Sequence, residues 1–105
     1  MAQFDVYANI NSSSKKLYPF LVDVQSNLLD SLETRLVIPL ILRSNFGNIT
    51  IKNLTPILLL NEQEFILLTP QIAAINKKHL GKLINNCKSI RNEIISSIDF
   101  LITGF

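Results

Sequence analysis

The chain has 105 residues, 48% of them hydrophobic, and a formal net charge of +2 at pH 7. This length predicts one domain over residues 1–105, and so small a positive charge excludes the basic stripe of a nucleic-acid-binding protein while favouring an acidic partner. A single cysteine, no signal-peptide pattern in the first residues and no apolar run near the roughly 18 residues of a membrane span predict a cytoplasmic protein.

Two strands are predicted in the first quarter of the chain. Residues 3–8 alternate apolar Phe4 and Val6 with polar neighbours, the period of a strand buried on one face. A loop rich in Ser and Asn follows. Residues 18–25 then predict a second strand, with Pro19 near its beginning because proline cannot donate a ladder hydrogen bond.

Residues 26–35 form a predicted polar connection that contains three leucines, Leu28, Leu29 and Leu32. The connection is too short for much helix, which leaves two alternatives: the leucines fold back on the barrel, or they lie exposed and form a contact patch. Residues 36–42 are almost wholly apolar, which predicts a strand buried on both faces and kinked or interrupted at Pro39.

The middle of the chain predicts a turn at Gly47, a short strand over residues 48–54 and then a hairpin. The hairpin pairs two apolar runs, residues 57–60 and 65–69, across a four-residue polar turn. Pro70 ends it, and residues 71–75 predict a last strand.

An amphipathic helix is predicted over residues 88–102, with Ser89 as its N-cap. Its apolar stripe is formed by Ile90, Ile94, Ile95, Ile98, Leu101 and Ile102. Apolar residues at helical spacing continue backwards through residues 80–87, which leaves open one longer helix from about residue 78, although Gly81 favours a break. Asp99 lies near the helix C-terminus, where its negative charge is unfavourable.

Five to seven short strands followed by one helix predict a small, strongly curved antiparallel sheet with the helix packed on it. The surplus of Ile and Leu in so small a protein predicts an apolar surface buried against another subunit.

The sequence lacks the usual motifs of a cofactor site. Its three glycines are far apart, so there is no phosphate-binding loop, and one histidine, His79, with Cys87 makes no recognised metal site. We therefore expect no cofactor and no metal. An acid, a base and an arginine of the kind a metal-independent ribonuclease uses occur at Asp23, Asp30, Glu33 and Arg35, but ordinary strand and loop charges explain them better.

Three collinear blocks resemble the CcdB family of bacterial toxins from type II toxin–antitoxin systems. They are QFDVY at residues 3–7, FLVDVQSNLLD at residues 20–30 with RLVIPL at residues 35–40, and the terminal helix with RNEII at residues 91–95.

The resemblance implies a mainly β, CcdB/MazF-like fold: a small SH3-like barrel of antiparallel strands with a long C-terminal helix, forming a homodimer. It implies a toxin without cofactor or enzymatic activity that binds the DNA gyrase A subunit and traps gyrase on cleaved DNA. It further implies neutralisation by a cognate antitoxin with a disordered, acidic C-terminal segment, and no direct sequence-specific binding of nucleic acid.

The resemblance also implies two gyrase-binding segments, one in the loop after the second strand and one at the helix end. Thr103 replaces a tryptophan of the family pattern and Asp99 replaces an asparagine, so stacking of an aromatic ring on a guanidinium is lost. The implied gyrase-binding residues are Ser26, Leu28, Leu29, Asp99, Ile102, Thr103, Gly104 and Phe105.

Two alternatives stay open from sequence alone. One is an endoribonuclease toxin similar to MazF and Kid, which resemble CcdB in fold. The other is a non-toxic relative that binds only its antitoxin.

Overall fold

The structure, a computed structural model, describes residues 2–47, 51 and 53–104. Within these residues the chain forms seven strands, two α-helices and four single 3-10 turns. The strands are β1 (Asp5–Asn9), β2 (Phe20–Asp23), β3 (Thr34–Leu42), β4 (Ile57–Leu60), β5 (Gln63–Leu67), β6 (Ala73–Asn76) and β7 (Leu80–Asn86). The helices are α1 (Arg43–Phe46) and α2 (Arg91–Thr103), and the 3-10 turns are Asn27–Leu29, Thr69–Gln71, Lys77–His79 and Lys88–Ile90.

The strands form one antiparallel sheet in the order β4-β5-β3-β2-β1-β7, with β6 paired to β3 off this path. One edge of β3 pairs first with β6, through residues 34–37, and then with β5, through residues 40–42. The sheet curls into a half-barrel, and α2 packs on it. The predicted fold of a curved antiparallel sheet with a C-terminal helix is confirmed, while the homodimer stays a prediction.

Pro39 does not interrupt β3, which is continuous from Thr34 to Leu42. The Pro39 carbonyl accepts from the Leu68 amide at 3.0 Å, so the proline nitrogen faces the same side of the strand. On that edge of β3, the pairing with β6 ends at Val37 and the pairing with β5 begins at Leu40, so Pro39 lies in the gap between them. The missing donor therefore falls between two partner strands, and the predicted interruption was wrong.

β1 is buried on both faces, whereas its alternating sequence predicted burial on one. Phe4 and Val6 lie in the main core, and Asp5 and Tyr7 are also buried. Tyr7 Oη donates to Asp5 Oδ2 at 3.1 Å, so the polar groups of the second face satisfy each other.

The hairpin of β4 and β5 is confirmed, with a tighter turn than predicted. Leu60 pairs with Gln63, which leaves only Asn61 and Glu62 in the loop, at φ values of 52° and 66°. Two consecutive positive φ values match the right-handed twist of a two-residue hairpin. The predicted four-residue turn was therefore wrong, because residues 63 and 64 belong to β5.

The strand predicted over residues 48–54 lies largely outside the described residues, at positions 48–50 and 52. Its described end, at residues 53 and 54, is a turn. The turn predicted at Gly47 follows α1, and Gly47 has a φ of 85°. The strand predicted over residues 71–75 is confirmed as β6, displaced by the 3-10 turn at Thr69–Gln71.

Residues 80–86 form a strand, β7, so the longer helix that the pattern left open does not form. Gly81 explains the close pairing of β7 with β1, because a Cβ there would lie 2.6 Å from Ile10 Cγ2 and 2.9 Å from the Ala8 carbonyl oxygen. Helix α2 lies where it was predicted, but its N-cap residue is Ile90, without a side-chain cap bond. The predicted cap, Ser89, lies in the preceding 3-10 turn.

Helix α2 buries the first part of its apolar stripe. Ile94 lies in the main core with Ile95 and Ile98 packed against it. Buried Ser97 joins the helix to the turn Thr69–Gln71, since its hydroxyl lies 2.9 Å from Thr69 Oγ1. No helix in the part of the chain that the structure describes is long and apolar enough to cross a membrane.

Candidate functional site

Residues 24–33 connect β2 to β3, and residues 26–33 of this connection are called the leucine loop below. It begins with a 3-10 turn that Ser26 caps, because Ser26 Oγ accepts from the Leu28 amide at 3.2 Å. Leu28 is 93% exposed, and Leu29 and Leu32 are also exposed. Of the two alternatives, the structure shows exposed leucines, and the loop presents an apolar surface that the other described residues do not cover.

A buried ion pair fixes the base of the leucine loop. Asp23 and Arg35 are both fully buried, and the guanidinium binds the carboxylate through Nε at 2.8 Å and Nη2 at 3.0 Å. Nη2 also donates to the Gln25 carbonyl at 2.9 Å, and Nη1 lies 3.6 Å from Asp30 Oδ1. One buried side chain thus contacts groups before and after the exposed leucines.

Gln25 adds a second connection across the base of the loop. Its Oε1 accepts from the Leu36 amide at 2.9 Å, and its Nε2 lies 3.3 Å from the Thr34 carbonyl. Asn27 is bound to the segment that precedes β1, because its Oδ1 accepts from the Gln3 amide at 2.6 Å. The leucine loop and its base are consequently tied to β3 and to the segment that precedes β1.

Lys77 contacts the loop from the outside. Its amide donates to the Glu33 carbonyl at 2.9 Å, and its Nζ donates to the Asp30 carbonyl. The same ammonium lies 4.0 Å from Asp30 Oδ1. Sequence reasoning missed Lys77, because no pattern relates residue 77 to residue 30.

The second predicted segment is the end of α2, residues 99–104, called the helix tip below. Ile102 is 75% exposed, and Asp99, Thr103 and Gly104 are exposed as well. Thr103 Oγ1 donates to the Asp99 carbonyl at 2.7 Å, so the hydroxyl is turned back onto the helix backbone four residues earlier. Phe105, the remaining predicted site residue, lies outside the described residues.

Gly104 ends the helix in the left-handed conformation, with a φ of 79°, and its amide donates to the Phe100 carbonyl at 2.9 Å. The carboxylate of Asp99 lies beside the negative end of α2, and no basic residue in the last turn of this helix offsets its charge. The tip is therefore an apolar side chain beside one exposed negative charge.

The structure does not join the two predicted segments to each other by bonding. Among the described residues, no hydrogen bond or ion pair connects residues 26–29 with residues 99–104. The leucine loop is held by its contacts with Gln3, Arg35 and Lys77, whereas the helix tip is held as part of α2.

Titratable groups near β1 have shifted pKa values. Burial and the hydrogen bond to Asp5 raise the pKa of Tyr7 to about 12. Burial acts to raise the pKa of Asp5, but donated bonds from Asn86, Ala2 and Tyr7 outweigh it, so this pKa is lowered. Burial raises the pKa of Cys87 to about 12, which keeps its thiol neutral and unreactive.

Two of the four residues weighed for a ribonuclease, Asp23 and Arg35, are fully buried in their ion pair. Their side chains cannot contact RNA in this structure, whereas a general acid or base must reach the proton it transfers. Within residues 2–47, 51 and 53–104, no three His, Cys, Asp or Glu side chains cluster closely enough to hold a metal ion.

Comparison with known families gives one match that spans essentially the whole chain. The family model described as CcdB protein matches residues 3–104. The match includes both the leucine loop and the helix tip.

Proposed function

The chain belongs to the CcdB family of toxins of type II toxin–antitoxin systems that act on DNA gyrase, and from this premise we propose that it binds the gyrase A subunit and traps gyrase on cleaved DNA. The proposed contact residues lie in the leucine loop (Ser26, Leu28 and Leu29) and in the helix tip (Asp99, Ile102, Thr103 and Gly104), with Phe105 following the tip in the sequence.

One observation carries the proposal. Leu28 and Ile102, one in each segment, are 93% and 75% exposed. Burying one such side chain stabilises a complex by about 1.5–3 kcal/mol, so both are suited to a partner surface. Because the loop and tip are held by hydrogen bonds before any partner arrives, little ordering cost is added on binding.

Thr103 and Asp99 distinguish this chain from the family pattern. Thr103 directs its hydroxyl to the helix backbone and cannot supply the stacking surface of a tryptophan. We propose that Asp99, exposed beside it, pairs with an arginine of gyrase and partly replaces that interaction.

The proposed partners also include a second copy of this chain and a cognate antitoxin. An antitoxin with a disordered, acidic C-terminal segment is complementary to the net charge of +2. Besides the loop and tip, the surface carries other exposed aliphatic side chains, such as Leu59 on β4 and Leu83 on β7, which a partner chain would cover.

The experiment that tests the proposal is a gyrase assay that measures cleaved-DNA complexes with Leu28→Ser and Ile102→Ser. We expect each substitution to weaken poisoning by at least tenfold, about 1.4 kcal/mol, without lowering the unfolding temperature. Leu17→Ser is the matched control, because Leu17 is 48% exposed in the connection between β1 and β2, outside both segments. Cleaved messenger RNA with intact gyrase activity would instead favour the ribonuclease alternative.

A further inference from the structure

The internal hydrogen bonds of the leucine loop are all long, between 3.1 and 3.2 Å. The Leu29 amide donates to the Ser26 carbonyl at 3.1 Å and the Asp30 amide donates to the Asn27 carbonyl at 3.2 Å, both at the long end of the normal range. The turn Asn27–Leu29 has no buried residue. Its position must therefore be fixed from neighbouring elements.

Lys77 is placed to do this by the topology of the sheet. Thr34, at the start of β3, pairs with Asn76, at the end of β6. Lys77 follows directly, so its main chain continues the ladder to Glu33 while its side chain reaches back to Asp30. Lys77 thus binds residues 30–33, called the returning arm of the leucine loop, at two points, the Asp30 carbonyl and the Glu33 carbonyl.

The electrostatic setting strengthens the side-chain contact. The Lys77 side chain is 32% exposed, and its ammonium contacts both the carbonyl and the carboxylate of Asp30. A charge-assisted hydrogen bond in a partly desolvated place is stronger than a neutral one in water. On the inner side, the Arg35 guanidinium contacts the same carboxylate at 3.6 Å. Asp30 is therefore held between a buried and a surface cation.

We propose that Lys77 is a positioning residue for gyrase binding: it fixes the returning arm of the leucine loop and so presents Leu28 and Leu29 in the conformation that the partner recognises. This inference rests on the proposed function. Lys77 does not itself contact the partner; it acts by holding the leucine loop in place.

The chain offers a matched control at the next position. Lys78 lies in the same 3-10 turn and has the same charge, but it is exposed, and in the described part of the chain its side chain makes no hydrogen bond or ion pair. Lys77→Met keeps the length of the side chain and removes the ammonium. Lys78→Met makes the same change in net charge without touching the loop.

The first measurement is amide hydrogen exchange of the free protein. We expect Lys77→Met to raise exchange at the Leu29 and Asp30 amides by about tenfold, while amides of β2 and β3 keep their rates. Lys77→Arg retains a donor and should restore slow exchange, and Lys78→Met should match the wild type. Unchanged exchange in Lys77→Met would overturn the proposal, as would an equal increase throughout the sheet, which would indicate a general loss of stability.

The second measurement is affinity for the purified gyrase A subunit. Lys77→Met should weaken binding about tenfold, the cost of ordering roughly one backbone residue. In a Leu28→Ser background the same substitution should have little further effect, because the two residues act through one contact. Full additivity of the two substitutions, or unchanged affinity despite faster exchange, would overturn the proposal.

The two measurements separate this inference from the function on which it depends. Wild-type protein that fails to bind gyrase refutes the proposed function, and with it the role of Lys77 in gyrase binding. Exchange at Leu29 and Asp30 still decides whether Lys77 fixes the loop, because that measurement requires no partner.

Discussion

The buried ion pair of Asp23 and Arg35 gives the sharpest prediction for stability, because its two members should not behave independently. Both side chains are fully buried and joined by two hydrogen bonds of 2.8 and 3.0 Å. Removing one partner leaves a buried charge uncompensated, which typically costs about 3–5 kcal/mol. We therefore expect Arg35→Met alone and Asp23→Leu alone each to lower the free energy of unfolding by about that amount.

The double variant, Asp23→Leu with Arg35→Met, should recover most of this loss, because no buried charge remains and the apolar replacements fill similar volumes. Recovery should be incomplete by about 1–3 kcal/mol, since the Gln25 carbonyl loses the donor that Arg35 supplied at 2.9 Å.

Urea unfolding at one fixed protein concentration measures all four proteins, because partner-linked stability depends on concentration. A double variant destabilised by the sum of the two single losses would refute this reasoning. It would mean that packing around the two side chains, and not their charge, carries the effect.

Three further predictions concern β1, β7 and the helix tip. The pKa of Tyr7 is raised from 10.0 to about 12, so the stability that its neutral hydroxyl adds is present below pH 10 and lost as the pH rises towards 12. The midpoint of urea unfolding should therefore fall less across this pH range in Tyr7→Phe than in the wild type. An equal fall in the two proteins would contradict the prediction. Gly81→Ala should destabilise the protein by about 1–3 kcal/mol in thermal unfolding, because the new Cβ would lie 2.6 Å from Ile10 Cγ2; an unchanged melting temperature would show that β7 moves away freely. Asp99→Asn should weaken gyrase affinity and reduce its salt dependence, and no change in either would refute the proposed pairing with an arginine.

Local pattern predicted the elements whose burial follows from their own sequence. The apolar runs at residues 57–60 and 65–69 on either side of a polar turn predict a hairpin, and the isoleucine stripe of α2 predicts a helix, because each signal lies within one short stretch. The sequence also marked the leucines of the loop as a candidate contact patch, but the structure decided between exposure and folding back on the barrel.

Pattern failed where a distant partner decided the outcome. Residues 80–86 have helical spacing but form β7, because β1 offers an open edge and Gly81 allows the close approach. Pro39 predicted an interruption, but β3 continues because two different strands share its edge on either side of the proline. Ser89 has the chemistry of a cap, but an added 3-10 turn moves the start of the helix beyond it.

Contiguous patterns in the sequence were enough to predict the β4–β5 hairpin, the C-terminal helix, the family resemblance and the two segments proposed to bind gyrase, because each of these depends on periodicity or on a motif within one short stretch. Only the tertiary structure decided how the leucine loop is held. Asp23 meets Arg35 across 12 residues and Lys77 meets Asp30 across 47, and such contacts exist only once the sheet has curled and brought β3 beside β6.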